Sequence, residues 1–144
     1  MRIHKFCFQM HKDKQGTLVA VEGEKNIPFQ IKRVYYMYGA GDAVIRGRHA
    51  HKSLQQILIC VHGNCRVRLD DGRERKTISL DHPNEGLYIP HLVWREIFDF
   101  TPDTVLLVLA SDVYDKSDYI RDYEEFIEYV SDQEETAVDA DNEA

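Results

Sequence analysis

The chain has 144 residues, 43% hydrophobic and 30% charged, with a net charge of −7. This is ordinary composition for one globular domain; it excludes a disordered chain, and the longest apolar run, Ile57–Val61, is too short to cross a bilayer. Residues 1–110 carry +4 and residues 111–144 carry −11, so the total argues against nucleic-acid binding, while the mildly basic body suits a small anion such as a phosphorylated metabolite.

Met1–Phe6 lacks the long apolar stretch of a secretory signal. Three cysteines (Cys7, Cys60 and Cys65) make no disulfide framework, so a reducing cytoplasm is expected. From there, short segments rich in β-branched and aromatic residues recur between turn signals. Thr17–Val21 follows the turn Asp13-Lys14-Gln15-Gly16, and Ile31–Tyr38 ends at Gly39-Ala40-Gly41-Asp42. Gln55–Val61 and Cys65–Leu69 flank His62-Gly63-Asn64. Asp70-Asp71-Gly72 leads into Arg75–Leu80 as a second hairpin. Gly86–Ile89, Val93–Phe98 and Thr104–Ala110 complete the series. Many short strands joined by tight turns predict an all-β sandwich or barrel.

The period then changes. Ser117 or Asp118 can cap a helix over 117–130, with Tyr119, Tyr123, Phe126, Ile127 and Val130 at spacings of three and four. Residues 131–144 are acidic and lack aromatics, which predicts a disordered tail after a single domain over 1–130.

The segment Arg46-Gly47-Arg48-His49-Ala50-His51-Lys52 carries two histidines two positions apart. On a strand both imidazoles face one side, and in a barrel the inner side is the pocket. Such a pair serves either metal ligation or proton transfer near neutral pH; the competing interpretation is a solvent-facing pair on a basic edge strand.

These residues resemble the first cupin motif: His49-Ala50-His51, then Gln55 or Gln56 where that motif has Glu, then Gly63. In the second motif, Pro90-His91-Leu92-Val93-Trp94-Arg95 puts Arg95 at the position of the third metal-ligating His. An amide is a weaker ligand than a carboxylate, and an arginine opposes a cation, so a resident Zn²⁺, Fe²⁺ or Mn²⁺ is disfavoured. More narrowly, Ile27-Pro28-Phe29, Ile31–Tyr36, the Arg46–Lys52 segment, Gly86–Ile89 with Val93-Trp94, and Leu107–Asp112 with Asp118–Arg121 resemble the dTDP-4-keto-6-deoxyglucose 3,4-ketoisomerases. The similarity covers about residues 6–130.

That resemblance implies a cupin jelly-roll barrel with a short C-terminal helix, a homodimer that exchanges N-terminal strands, no cofactor, and an isomerase acting on a dTDP-linked keto sugar. The carbonyl would move from C4 to C3 through an enediolate, giving a 3-keto sugar for later amination. His49 is assigned as the main base and His51 as the partner that shuttles or donates protons, with the exchanged assignment left open. Alternation places Arg33 and Tyr35 together, and the resemblance makes theirs the pocket face. Tyr35 would then assist at the sugar oxygen, and Arg33 and Arg46 would hold the pyrophosphate. Trp94, Arg95 and Tyr88 are further candidates to line the substrate site. The alternatives are a metal-dependent cupin enzyme, a dTDP-sugar 3,5-epimerase, and a non-catalytic sugar-nucleotide binding module.

Overall fold

The computed structural model describes residues 1–143. The strands are β1 (His4–Cys7), β2 (Met10–Asp13), β3 (Gly16–Val19), β4 (Arg33–Tyr38), β5 (Arg46–His51) and β6 (Gln56–His62). They continue as β7 (Cys65–Asp70), β8 (Arg75–Leu80), β9 (Glu85–Ile89), β10 (Trp94–Phe98), β11 (Val105–Ala110) and β12 (Tyr119–Ile120). Helix α1 (Tyr123–Glu143) follows. Two five-stranded antiparallel sheets, ordered β1-β9-β6-β11-β4 and β12-β5-β10-β7-β8, form the expected cupin jelly roll.

The strand sequences explain this arrangement. Strand β4 alternates half-buried Arg33, Tyr35 and Met37 with exposed Val34, Tyr36 and Tyr38, the period-two pattern of a strand with one face inward. Strands β6, β7 and β10 supply Leu58, Cys60, Val67, Leu69 and Ile97 to the core between the sheets, joined by Leu106 and Val108 of β11. Gly72 turns the β7–β8 hairpin at φ +93°, a conformation that glycine adopts without steric cost.

Both sheets are also covered from outside. Phe8, Ile27 and Phe29 from the N-terminal segments lie on Ile57, Ile59 and Leu109 of the first sheet. On the second sheet, Phe126 of α1 packs with Ala50, Trp94 and Ile120. The β2–β3 hairpin pairs only with itself, and all of its residues except Val19 are exposed.

The C-terminal region departs from the predicted helix and tail. Ser117 and Asp118 lie in a short 3₁₀ turn, Lys116–Asp118, capped by Asp115. The helix starts at Tyr123, where the Asp122 carboxylate accepts from the Glu125 amide at 3.0 Å. Asp118 is withdrawn from capping because its carboxylate accepts from Ser53 and Leu54 instead. Tyr119 therefore belongs to a strand rather than to the helical stripe. Residues 131–143 continue the helix instead of forming a disordered tail; Glu, Gln and Ala favour helix, and the segment contains neither Gly nor Pro. An ion pair from Arg73 to Glu134 at 2.9 Å reaches this part. Ala144 lies outside the described residues. Among the described residues, no helix is long and apolar enough to cross a membrane.

Phe126 is fully buried beneath Trp94. Replacing it with Ala should lower unfolding free energy by about 3–5 kcal/mol in chemical denaturation. A loss below about 1 kcal/mol would show that the helix is not docked through this ring.

Candidate active site

The site begins with a distortion of β5. Its register against β10 shifts between Arg95 and Glu96, so that Arg95 faces His49 and Glu96 faces Gly47. Gly47 and Arg48 take positive φ there, +84° and +57°, as in a β-bulge. A Cβ at Gly47 would sit 2.9 Å from the Arg95 carbonyl oxygen, so only glycine fits. Beyond the bulge, alternation sends His49 and His51 toward the interior and Ala50 toward α1.

Between the sheets lies a cavity of about 540 Å³. Arg33, Tyr35 and Met37 of β4 form one wall, Gln56 and Leu58 of β6 another, and His49, Arg95 and Ile97 the opposite side. Arg46 lies along its lining, and Tyr119 and Arg121 close it from the C-terminal side. Four arginines and no carboxylate line the space, which suits a ligand carrying phosphates.

Arg95 lies at the centre and is 2% exposed. Its Nη1 donates to Gln56 Oε1 at 2.5 Å, and Nε and Nη2 donate to the Val93 carbonyl at 3.3 and 3.1 Å. Gln56 in turn donates from Nε2 to the Tyr35 hydroxyl at 3.0 Å. Burial pulls Arg95 down to about 10, so it remains a cation at neutral pH. Burial raises Tyr35 above the usual phenol range, leaving its hydroxyl protonated and able to donate.

The two imidazoles meet edge to face with centroids 4.8 Å apart. Burial, reinforced by Arg95, lowers His49 to about 4. The Gly47 backbone opposes this lowering in part, and Nε2 is enclosed with no hydrogen-bond partner among the described residues. His49 is therefore neutral, with Nε2 free to accept a proton. His51 is fully buried, and burial followed by Arg95 lowers it to about 2. It stands behind His49 and Tyr119, on a separate hollow of about 30 Å³ that it shares with Asp118 and Ser53. Only His49 of the pair lines the main cavity.

Of the candidate residues, Arg33, Tyr35, Arg46, His49 and Arg95 line this one cavity. The Arg33 guanidinium lies over the rings of Tyr35 and Tyr114, 4.5 and 5.2 Å from their centroids. Tyr88 and Trp94 do not line the cavity. Leu87 and Ile89 take the inward positions of β9, so Tyr88 faces the opposite side and its hydroxyl donates to Gln55 at 2.7 Å. Arg95 takes the inward position of β10, so Trp94 faces out and packs on Tyr123 and Phe126. Sequence reasoning missed Tyr119 and Arg121. Their alternate positions in Tyr119-Ile120-Arg121, with buried Ile120 facing α1, carried the signal once the segment is recognised as a strand.

Of the His, Cys and carboxylate ligands usual for a transition metal, the described cavity lining holds His49 alone, beside a fixed guanidinium, a poor ligand set. Among the described residues, Asp81, His82 and Glu85 bring ligand atoms within 4.8 Å of one another. They lie outside the cavity lining, and Glu85 already pairs with Lys5 at 2.7 Å.

The family described as FdtA (WxcM-like, C-terminal) matches residues 1–131. A TDP-4-oxo-6-deoxy-alpha-D-glucose-3,4-oxoisomerase of Aneurinibacillus thermoaerophilus is 53% identical over 119 residues, covering 83% of this chain and 86% of that one. The crystal structure of QdtA, a sugar 3,4-ketoisomerase from Thermoanaerobacterium thermosaccharolyticum, in complex with TDP has a TM-score of 0.89 and 47% identity. It covers 91% of this chain and 96% of that one. A histidine-to-asparagine mutant of the same enzyme, in complex with TDP-4-keto-6-deoxyglucose, has a TM-score of 0.88 and 47% identity over 90% of this chain and 94% of that one.

Both histidines are held neutral in the fold but protonate near pH 6.5 when unfolded. Below that pH the unfolded chain binds more protons, so stability is fully present above about pH 6.5 and falls as pH drops toward about 4. Each ring contributes a slope of up to about 1.4 kcal/mol per pH unit. Denaturant unfolding of His51→Asn between about pH 6 and 5 should therefore show a shallower pH dependence than wild type. Identical slopes would mean that His51 is not held neutral.

Proposed function

The chain belongs to the FdtA family, and we propose that its cavity moves the carbonyl of dTDP-4-keto-6-deoxy-D-glucose from C4 to C3 with His49 as the base. The activity is that of a TDP-sugar 3,4-ketoisomerase. The observation that carries the site assignment is the convergence of His49, the buried Arg95 and Tyr35, the last two joined through Gln56, in one cavity lined by four arginines.

In the reaction, His49 Nε2 takes the proton from C3. The C3–H electron pair becomes the C3–C4 double bond, and the carbonyl π pair moves onto the C4 oxygen. Arg95 and the Tyr35 hydroxyl supply positive charge and a donor for that oxygen, the electrostatic part of the catalysis. The C4 oxygen then takes up a proton, the C3 hydroxyl loses its proton to form the C3 carbonyl, and the C3–C4 π pair moves to C4, which takes up the second proton. The proton count is unchanged. His51 shuttles protons from behind His49 and Tyr119, without touching the sugar. Arg33 and Arg46 bind the pyrophosphate, joined by Arg121. The product carries its carbonyl at C3, open to later amination.

The neighbouring interpretations are less well supported. A metal-dependent enzyme would need a cation beside the Arg95 guanidinium, and a pure binding module would have no use for an enclosed neutral imidazole with a free nitrogen. Three free cysteines support a reducing, cytoplasmic setting.

The assembly we propose is a homodimer in which the N-terminal β2–β3 hairpin crosses to the partner. Strand β1 pairs with the chain's own β9, so the hairpin is the N-terminal element free to cross. Leu18 on the hairpin is 60% exposed, and Val34, Tyr36 and Tyr38 form an uncovered apolar face on edge strand β4. Light scattering on the full chain should give twice the chain mass, and Tyr36→Asp with Tyr38→Asp should give monomer. A wild-type monomer at micromolar concentration would contradict the dimer.

The catalytic assignment is tested in D₂O with dTDP-4-keto-6-deoxyglucose, following the sugar by NMR. Deuterium should enter at C4 of the 3-keto product and, through the reverse step, at C3 of recovered substrate, and His49→Asn should slow both by about 10²–10⁴-fold with the fold intact. Wild-type exchange in that variant would remove His49 from the mechanism.

A further inference from the structure

His51 is fully buried, so its protonation pattern is set by the groups packed against it. Neither Nδ1 nor Nε2 of His51 has a hydrogen-bond partner, and both atoms are enclosed. A neutral imidazole carries its single N–H on one nitrogen or the other, and the neighbour of each nitrogen decides which. Here the neighbours differ. Nδ1 lies 3.5 Å from Asp118 Oδ2, too long for a good hydrogen bond yet close enough for the carboxylate to set the local field.

Asp118 is held in place by its surroundings. Its Oδ1 accepts from the Ser53 amide at 2.9 Å and the Ser53 hydroxyl at 2.7 Å, and Oδ2 accepts from the Leu54 amide at 3.2 Å. The Asp118 backbone carbonyl also accepts from the Lys52 amide at 2.9 Å. These bonds fasten the turn after β5 to the turn before β12, and they fix where the carboxylate sits relative to the ring. Other acids border the same hollow, but Asp112 Oδ1 accepts from the Val113 amide and Asp115 Oδ1 from Ser117, and no ion pair joins either to His51. The remaining charged groups acting on His51, namely Arg33, Arg95 and Arg121, are cations.

We propose that Asp118 is a positioning residue that holds His51 in the Nδ1–H tautomer, leaving Nε2 as the nitrogen that exchanges protons during the isomerisation. An N–H directed at a carboxylate is attracted, and a lone pair in its place is repelled. With cations on the other sides, the carboxylate orients the proton without converting the ring to imidazolium. The long Nδ1–Oδ2 distance fits a contact that shortens when substrate fills the cavity. This inference rests on the ketoisomerase reading for its catalytic consequence, whereas the tautomer itself does not.

The test uses the full chain labelled with ¹⁵N-histidine, and the variant Asp118→Asn. Asparagine can still accept from Ser53 through its oxygen, but it turns an N–H donor toward His51 Nδ1 and so favours the opposite tautomer. In wild type, long-range ¹⁵N–¹H NMR should show His51 with a protonated Nδ1 and an unprotonated Nε2. In Asp118→Asn the pattern should reverse. Turnover should fall by about 10²-fold or more, with KM and TDP affinity nearly unchanged. Loss through structural damage alone would instead weaken TDP binding. The Nε2–H tautomer in wild type, or unchanged kcat in Asp118→Asn, overturns the proposal. Should the variant fail to fold, the wild-type tautomer alone decides. Absence of C3 exchange in wild type would overturn the ketoisomerase reading and leave the tautomer result standing.

Discussion

A buried guanidinium with no carboxylate beside it organises this protein. Arg95 lies between the sheets, fixed by the side-chain oxygen of Gln56 and the carbonyl of Val93. Burying a charge is costly, and neutral hydrogen-bond partners offset the cost only in part, which is why the group is shifted down to about 10. The resulting positive field reaches both imidazoles and helps burial to hold them neutral. One side chain therefore brings a fixed cation to the cavity, and in the proposed reaction it would supply positive charge for the oxyanion and help keep His49 unprotonated.

Much of the backbone serves that placement. The bulge at Gly47 and Arg48 lets β5 turn His49 toward Arg95, and it depends on a residue without a Cβ, because the Arg95 carbonyl would lie only 2.9 Å away. Gln56, one of the two glutamines in the stretch where the cupin motif has Glu, joins Arg95 to Tyr35 as acceptor on one side and donor on the other. A carboxylate there would form an ion pair with the arginine and weaken its field at the histidines. The outer coverings, Phe126 on one sheet and Phe8 with Phe29 on the other, keep these strands dry from behind.

The parts legible in the sequence were those governed by local rules. Alternation on β4 put Arg33 and Tyr35 on one face, which the family resemblance made the pocket face, turn residues located most hairpins, and the Arg46–Lys52 segment singled out the histidine pair. Alternation also decides Tyr88 and Trp94, but only once their neighbours Leu87, Ile89 and Arg95 are known to face the core. Long-range competition hid the rest. Asp118 has the sequence of a helix cap, yet its carboxylate is engaged by Ser53, 65 residues away. That contact moves the helix start to Tyr123 and frees Tyr119 to pair with His51. Nor does a two-residue spacing reveal that His49 lines the cavity while His51 stands behind it, because depth within a sheet is set by its partners.

The account depends on His49 being an unprotonated base in the resting protein. An NMR titration of its imidazole in the wild-type chain measures this directly. The ring should stay neutral down to about pH 4. A midpoint near the ordinary histidine value of 6.5 would show that burial and Arg95 do not control it, and the proposed origin of the base would be wrong.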